Sequence, residues 1–313
     1  MPIKIPETLP ATKTLNEENI FVMTENRALS QDIRPLHILI LNLMPTKIAT
    51  ETQLIRLLSN TPLQIELDLL KMASHESRHI SNDHMEHFYK TFDEIKHLNY
   101  DGLVITGAPL EHLEYEQVDY WDELCTIMEW SLTHVYSTLH ICWGAFAGLY
   151  YHYGIGKVHL DEKLFGVFSH YVTRKSSILF RGFDDTFLVP HSRYIGLDEK
   201  AVEACTQLKI LAKSDRAGIY AISTEGGRQV FLTGHSEYDQ LTLENEYLRD
   251  KQSGKDIHVP ENYYPNDDDR LTPPVTWRSS ANLFFANWVN YIVYQTTPYD
   301  LSTLQKVKEL QNK

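Results

Sequence analysis

The segment STLHICWGAFAGLYYHYG, residues 137–154, joins a strand-type run to a helix-type run, with a cysteine at the junction. Residues 135–141 are rich in β-branched and aliphatic side chains, which favours a strand, and the residues after Gly144 place bulky side chains at helical spacing. Cys142 therefore falls at the turn between the two elements. A cysteine at this position is either a small buried hydrophobic residue or a nucleophile held at the end of a strand.

The same alternation of strand and helix continues on the N-terminal side of this segment. Strands are predicted at 36–43, 64–72 and 102–106, and helices at 49–59, 83–92 and 120–132. Strands that alternate with helices of this length predict an α/β fold, with a mainly parallel sheet flanked by helices. After Gly154 we expect shorter strands joined by turns, and then closing helices near 241–252 and 279–295.

The domain organisation predicted from these patterns is simple. Residues 1–35 carry prolines and charges and are expected to form an extended N-terminal arm. Residues 36–301 are expected to form a single α/β domain, and residues 302–313 a C-terminal tail. Neither an internal repeat nor a low-complexity linker interrupts the 313 residues.

Composition excludes some classes of function. The chain has 29 Lys and Arg against 42 Asp and Glu, a formal net charge of -13, which argues against a nucleic-acid platform. The longest apolar run, LHILILNLM, is far too short to span a bilayer, and the N-terminus lacks the apolar region of a signal peptide. Three cysteines without framework spacing are typical of a reducing compartment, so we expect a cytoplasmic protein without a membrane partner.

Cys142 has the surroundings that a reactive thiol needs. A thiol just before a helix lies near the partial positive charge of the helix N-terminus, which favours the thiolate. Gly144 permits the tight turn, and the first N–H groups of the helix, starting at Trp143, have no intrahelical acceptor and could bind an oxyanion. A lone Cys-x-Gly is a weak signal, and a buried structural cysteine remains the alternative.

A second motif, GHSEYD, supplies the partners that such a nucleophile requires. His235 and Glu237 lie two residues apart, so in extended chain they point to the same side. They follow a strand end, where functional groups of parallel sheets gather. His235 could accept the proton of Cys142 or of a hydroxyl, and Glu237 could orient the imidazole. We therefore predict a Cys–His–Glu site.

Four histidines in SHESRHISNDHMEHF have spacings that can bind zinc: His75, His79, His84 and His87. However, neither a nearby cysteine nor an HExxH pattern completes a site. A helix start at residues 81–83 also divides the group. We expect a solvated polar face and no metal.

Cys142 and HSE together resemble the class I glutamine amidotransferase fold, a flavodoxin-like α/β architecture. That family usually has glycine two residues before its cysteine and His-Pro-Glu at the second motif, whereas this chain has His140 and His-Ser-Glu. A narrower resemblance spans residues 37–301. LNLMPTK, DGLVITGAPLEHLEYEQVDYW, HICWGAFAGLYYHYGI, KLFGVF, VPHSRY, GHSEYD and EYLRD are similar to motifs of the homoserine O-acyltransferases of methionine biosynthesis.

This resemblance implies a reaction and a set of roles. Cys142 would attack an acyl-CoA thioester, His235 would deprotonate the homoserine hydroxyl, and Glu237 would hold His235. The implied oxyanion site consists of Lys47 with backbone N–H groups near Met44 and Trp143. The implied homoserine-binding residues are Lys163, Ser192 and Arg249. Acyl-CoA is a substrate here, so no separate cofactor is expected.

Glu111 is the position implied to select the acyl group. In the family, glycine at this position accompanies succinyl-CoA and glutamate accompanies acetyl-CoA. A carboxylate beside the acyl pocket fills space and repels the terminal carboxylate of a succinyl group. We therefore expect acetyl-CoA and L-homoserine as substrates, with succinyl-CoA as the alternative donor. The family also suggests a homodimer.

Two other classes of function remain open at the level of sequence. A hydrolase or glutamine amidotransferase with the same triad would act on an amide and would not need a CoA ester. A non-catalytic binding protein on this fold would tolerate replacement of Cys142.

Overall fold

The computed structural model describes residues 3–4, 6, 8–17, 34–74, 82–298 and 301–304. Within this part of the chain the strands are, in order, β1 Ile3–Lys4, β2 Leu36–Leu41, β3 Ile65–Leu70, β4 Tyr89–Lys90, β5 Tyr100–Ile105, β6 Val135–Ile141, β7 Lys157–Val172, β8 Thr186–Leu197, β9 Leu208–Ser214, β10 Gly218–Thr224 and β11 Gln229–Leu232.

The helices of the same part of the chain alternate with these strands in the N-terminal half. They are α1 Pro10–Glu17, α2 Lys47–Leu58, α3 Asn82–Phe88, α4 Phe92–Ile95, α5 Trp121–His134, α6 Trp143–Tyr153, α7 Glu199–Ala204, α8 Thr242–Gln252 and α9 Arg278–Asn287, which continues as a π-helix at Trp288–Tyr294. None of the helices in the described ranges is long and apolar enough to cross a membrane.

The strands form one mixed sheet in the order β1-β3-β2-β5-β6-β11-β10-β9-β7-β8, with β4 beside β3. The pairs from β1 to β11 are parallel, whereas β11–β10, β10–β9, β9–β7 and β7–β8 are antiparallel. The prediction of an α/β fold with a mainly parallel sheet is confirmed. In its parallel half, the carboxyl ends of β6 and β11 lie side by side, and Cys142 and His235 follow these two strand ends.

The central strands are buried on both faces, which is why they read as continuous apolar runs. In β2, Ile38 and Ile40 pack into one core with α2 and α9. Their neighbours Leu39 and Leu41 pack into the other core with α5 and α6. Alternate side chains of a strand point to opposite faces, so one strand supplies both layers.

Two predictions about local structure need correction. The segment expected as an extended arm contains α1, whose Leu9-to-Leu15 face is buried against the core. The first two strands after Gly154 are longer than expected, since β7 has 16 residues and β8 has 12, whereas β9, β10 and β11 are short as predicted. Residues 18–33 and 305–313 lie outside the described residues, so the division into arm, domain and tail stays a prediction.

Candidate active site

Cys142 occupies a strained turn between β6 and α6, with φ 46° and ψ −119°. A side-chain-bearing residue rarely adopts a positive φ, and such strain clusters at functional sites. The conformation is held from both sides. The Cys142 N–H donates to the Leu232 carbonyl at 2.7 Å, and the Cys142 carbonyl accepts from the Ala145 N–H at 2.8 Å. The turn therefore holds the sulfur in place at the end of β6.

Gly144 allows this turn to lie close to the neighbouring strand. A Cβ at Gly144 would lie 2.6 Å from the Thr106 carbonyl oxygen and 3.0 Å from that of Ile105. Both obstacles are backbone atoms, which cannot rotate away as a side chain could. Glycine is thus required here for packing.

His235 lies at the end of β11, which pairs in parallel with β6, so the two strand ends are adjacent. Its Nδ1 is 2.7 Å from Oε1 of Glu237, and its ring also makes a side-chain hydrogen bond with Cys142. Because the carboxylate accepts from Nδ1, that nitrogen carries a hydrogen and Nε2 is left for the sulfur. The three predicted triad residues are therefore brought together in one chain of contacts.

The environment of His235 favours its protonated form. Burial alone would lower the pKa of the ring, which is only 2% exposed. The negative charges of Cys142 and Glu237, and their hydrogen bonds to the imidazole, outweigh burial and raise its pKa well above the usual value. A protonated imidazole beside the sulfur can give its proton to a leaving thiolate, as nucleophilic catalysis by a cysteine requires.

The loop after β5 passes beside Cys142 and His235, and its Gly107, which has no side chain, lies next to both. A Cβ at Gly107 would lie 3.3 Å from the Cβ of Cys142 and 3.4 Å from Cε1 of His235. The absence of a side chain at this position keeps the approach to both groups open.

The triad opens into a cleft of about 1670 Å³. Eight of the ten predicted site residues line this cleft, namely Met44, Glu111, Cys142, Lys163, Ser192, His235, Glu237 and Arg249. Its size is sufficient for a substrate much larger than an amino acid.

The three residues implied for homoserine binding meet at two carboxylates of α8. Lys163 Nζ lies 3.0 Å from Oδ2 of Asp250 and 3.6 Å from Oε2 of Glu246. Ser192 Oγ donates to Glu246, and Arg249 pairs with Asp250 at 3.0 Å. Burial would raise the pKa of Asp250, but the hydrogen bond and charge of Lys163, helped by Arg249, lower it to about 2. This cluster is a polar wall of the cleft.

Glu111 lies on the same cleft, half-buried in the loop after β5. Burial raises its pKa, while the charges of His112, His235 and Lys163 act in the opposite direction. The carboxyl group is therefore within electrostatic reach of both the triad and the polar wall.

Of the three residues predicted for the oxyanion site, only Met44 lines the cleft. Trp143 is fully buried and does not line the cleft, but its N–H begins α6 beside Cys142. The Met44 N–H donates to Oδ1 of Asn42 at 3.2 Å. Lys47 does not line the cleft either, because its ammonium donates to the Asn42 carbonyl and faces the ring of Tyr89.

The position of Lys47 therefore does not support a cation beside a thioester carbonyl in this conformation. Burial lowers its pKa to about 8, an effect that the charge of Glu51 partly opposes. Lys47 instead belongs to a buried network behind the Met44 loop. In this network Asn42 donates to the Tyr89 hydroxyl at 2.8 Å, and that hydroxyl donates to Glu51 at 2.6 Å.

The histidines considered for zinc do not form a group in the part of the chain that is described. His84 contacts Glu51 at 3.1 Å and belongs to the network behind the Met44 loop. His87 lies on α3 beside Phe88. His75 and His79 lie outside the described residues.

His140 stands where glutamine amidotransferases usually have glycine. A second glycine, Gly148, leaves room for its ring. A Cβ at Gly148 would lie 2.7 Å from Nδ1 of His140, so the ring uses the space of a missing side chain. Complete burial lowers the pKa of His140 to about 3, and the ring is neutral. It packs against Phe231 on the neighbouring strand.

Comparison with known proteins is consistent with this geometry. The family model described as homoserine O-succinyltransferase matches residues 2–299. The chain belongs to this family. It is 58% identical over 306 residues to a homoserine O-acetyltransferase of Petrotoga mobilis, covering 98% of this chain and 99% of that protein. A homoserine O-acetyltransferase of Clostridium novyi is 59% identical over 300 residues, covering 96% and 99%.

Solved structures support the fold. A glutamine amidotransferase of Thermotoga maritima superimposes with a TM-score of 0.55 at 14% identity, covering 84% of this chain and all of that one. The predicted class I glutamine amidotransferase-like architecture is confirmed, and so is the predicted resemblance to the homoserine O-acyltransferase family.

Sequence reasoning missed three residues that contact the predicted site residues, namely Glu246, Asp250 and Tyr238. Glu246 and Asp250 are four residues apart in ENEYLRD, a spacing that places both carboxylates on one helix face beside Arg249. That spacing could have indicated their role. Tyr238, next to the HSE motif, had no comparable signal, because its contact with His235 depends on the turn after β11.

Proposed function

We propose that this protein is a homoserine O-acetyltransferase, which moves an acetyl group from acetyl-CoA to the hydroxyl of L-homoserine. The observation that carries the proposal is the contact chain Cys142–His235–Glu237 at the base of a cleft whose wall holds Lys163, Ser192 and Arg249. Relatives at 58% and 59% identity over nearly the full chain carry this name.

The first half of the reaction uses Cys142 as nucleophile. Its thiolate attacks the thioester carbonyl carbon, and the carbonyl oxygen becomes an oxyanion. We assign the backbone N–H of Trp143, which as the first N–H of α6 has no intrahelical acceptor, as a donor to that oxygen. When the C–S bond to CoA breaks, the CoA thiolate leaves with the proton held by His235, and an acetyl-Cys142 thioester remains. One thioester replaces another, so the exchange is close to balanced in energy.

The second half transfers the acetyl group. His235 Nε2 accepts the proton of the homoserine hydroxyl as its oxygen attacks the acetyl carbonyl. Collapse of the tetrahedral intermediate expels the Cys142 thiolate and forms the ester. Glu237 keeps Nδ1 protonated and stabilises the imidazolium throughout. Arg249 has the planar donor pair that grips an amino acid carboxylate, while Lys163 and Ser192 add charge and a hydroxyl.

Glu111 is assigned to the choice of donor. Its carboxyl group occupies the cleft near His235, where the longer succinyl chain would place a second carboxylate. Like charges in a partly dehydrated cleft repel, and this favours the uncharged acetyl group. The family description names a succinyl donor, so succinyl transfer is the alternative that the same assay must test.

The remaining assignments are part of this proposal. Acetyl-CoA and homoserine are substrates without a resident cofactor, the enzyme works in methionine biosynthesis in the cytoplasm, and it forms a homodimer. Nucleic acid and membrane are not among its partners.

Intact-mass measurement tests the central step. The protein is incubated with acetyl-CoA or succinyl-CoA in the absence of homoserine. We expect one acetyl adduct, which is lost in Cys142→Ala, kept in the control Cys125→Ala, and discharged when homoserine is added. No adduct from either donor would refute the covalent scheme, and a succinyl adduct alone would establish the alternative donor. Glutamine-dependent release of ammonia would instead support an amidotransferase.

A further inference from the structure

One face of the His235 ring is covered by the ring of Tyr238. The two ring centroids are 4.1 Å apart and the planes differ by 17°. Glu237 and Cys142 contact the edges of the imidazole. Bonds at two edges leave the ring free to tilt about the line between them, whereas a packed face opposes that tilt. Tyr238 therefore restricts the one motion that the triad contacts leave open.

Tyr238 is itself fixed at both ends. Its backbone carbonyl accepts from Nε1 of Trp277 at 2.9 Å, and its hydroxyl donates to Oε1 of Glu246 at 2.7 Å. Burial, with the nearby charge of Glu246, raises the pKa of Tyr238 well above its usual value. The phenol is thus a permanent donor to Glu246.

The second oxygen of Glu246 faces the polar wall of the cleft. Ser192 Oγ donates to Oε2, and Lys163 Nζ lies 3.6 Å away from it. A continuous path of contacts therefore runs from Ser192 through Glu246 and Tyr238 to His235.

We propose that Tyr238 is a positioning residue that couples the acceptor side of the cleft to His235. This inference rests on the proposed function. A homoserine that contacts Lys163 and Ser192 changes what Glu246 binds, and the Tyr238 hydroxyl transmits that change to the ring stacked on His235. The acylation of Cys142 takes place without homoserine, so it depends on the stack but not on the hydroxyl.

The test separates the two half-reactions. Tyr238→Phe keeps the stacked ring and removes the hydrogen bond to Glu246. We expect the rate of CoA release in the first half to stay within about twofold of wild type. We expect homoserine to discharge the acyl-enzyme about tenfold more slowly, since a hydrogen bond to a charged group is lost. Tyr264→Phe is the matched control, because Tyr264 also donates to a carboxylate of α8, Glu244, at 3.1 Å.

Tyr238→Leu removes the stack as well, and both half-reactions should then be slower. A merely structural role for Tyr238 would slow the two half-reactions equally in Tyr238→Phe, and this result would overturn the proposal. Wild-type rates in both halves would overturn it too. A wild-type chain that forms no acyl-enzyme would refute the proposed function and this inference together, whereas a working wild type with an unaffected Tyr238→Phe refutes the inference alone.

Discussion

Replacement of Glu111 by glycine is expected to shift donor preference from acetyl-CoA towards succinyl-CoA. Glu111 lines the same cleft as Cys142 and is within electrostatic range of His235 and Lys163. The change removes both the charge and the volume of the side chain, so a longer acyl group with a terminal carboxylate can be accepted.

The size of the effect follows from the dielectric environment of the cleft. Two carboxylates about 4 Å apart repel by about 1 kcal/mol in water and about 4 kcal/mol at the effective dielectric of a protein surface. These limits correspond to about fivefold and about a thousandfold in rate. Glu111 is half-buried, so we expect the ratio of kcat/KM for the two donors to change by at least about tenfold.

The assay measures kcat/KM for both donors at saturating homoserine. Glu111→Gln removes the charge but keeps most of the volume, and it separates repulsion from steric exclusion. Glu114→Gln is the control, since Glu114 lies in the same loop but pairs with Lys157 outside the cleft. A donor ratio within about twofold of wild type in Glu111→Gly would refute the reasoning.

The pH dependence of donor choice has a predictable sign. Burial raises the pKa of Glu111, so this carboxyl group gains its proton at a higher pH than an ordinary glutamate. Acidification should therefore weaken the discrimination against succinyl-CoA in wild type, and it should leave the donor ratio of Glu111→Gln unchanged. A wild-type ratio that is constant with pH would contradict the charge mechanism.

Three further outcomes are expected. Glu237→Gln should lower kcat by about 10²- to 10⁴-fold, because the amide can no longer stabilise the His235 imidazolium. Gly144→Ala should lower the free energy of unfolding by about 1–3 kcal/mol in denaturant titration, because its Cβ would lie 2.6 Å from the Thr106 carbonyl oxygen. Stability should also fall on acidification. Burial lowers the pKa of His170 from 6.5 to about 4, so below pH 6.5 the unfolded chain binds a proton that the folded chain excludes, costing about 2 kcal/mol at pH 5.

One of these outcomes has a matched control variant, and each has a result that would contradict it. Gly156→Ala is matched to Gly144→Ala, since a Cβ at Gly156 meets no atom within 4 Å. If the two alanine variants were equally stable, the close approach at Gly144 would not matter. For Glu237→Gln, near-wild-type kcat would exclude an orienting role. For His170, thermal unfolding between pH 7 and pH 4 should show the decrease mainly below pH 6.5, and a flat profile would contradict the sign.

Local patterns predicted the parallel half of the fold well. The strand at 135–141 was predicted with the bounds that β6 has, and the strand at 36–43 extends only two residues beyond β2. These strands are covered on both faces, so their sequence is apolar without interruption and easy to recognise. β7 was expected to be a shorter strand, whereas it has 16 residues, including the charged residues Asp161, Glu162 and Lys163. Its register with β8 shifts between His159 and Leu164, next to the cleft residue Lys163.

The sequence by itself determined the residue types that the proposed chemistry needs, because a cysteine after a strand and a His-x-Glu after another strand are local features. The tertiary structure decided which groups those residues contact. Only the adjacency of β6 and β11 joins His235 to Cys142, and only the docking of α8 brings Glu246 between Tyr238 and Ser192. The same folding turned Lys47 towards Asn42. Contacts between residues distant in sequence depend on packing, and local periodicity carries no information about them.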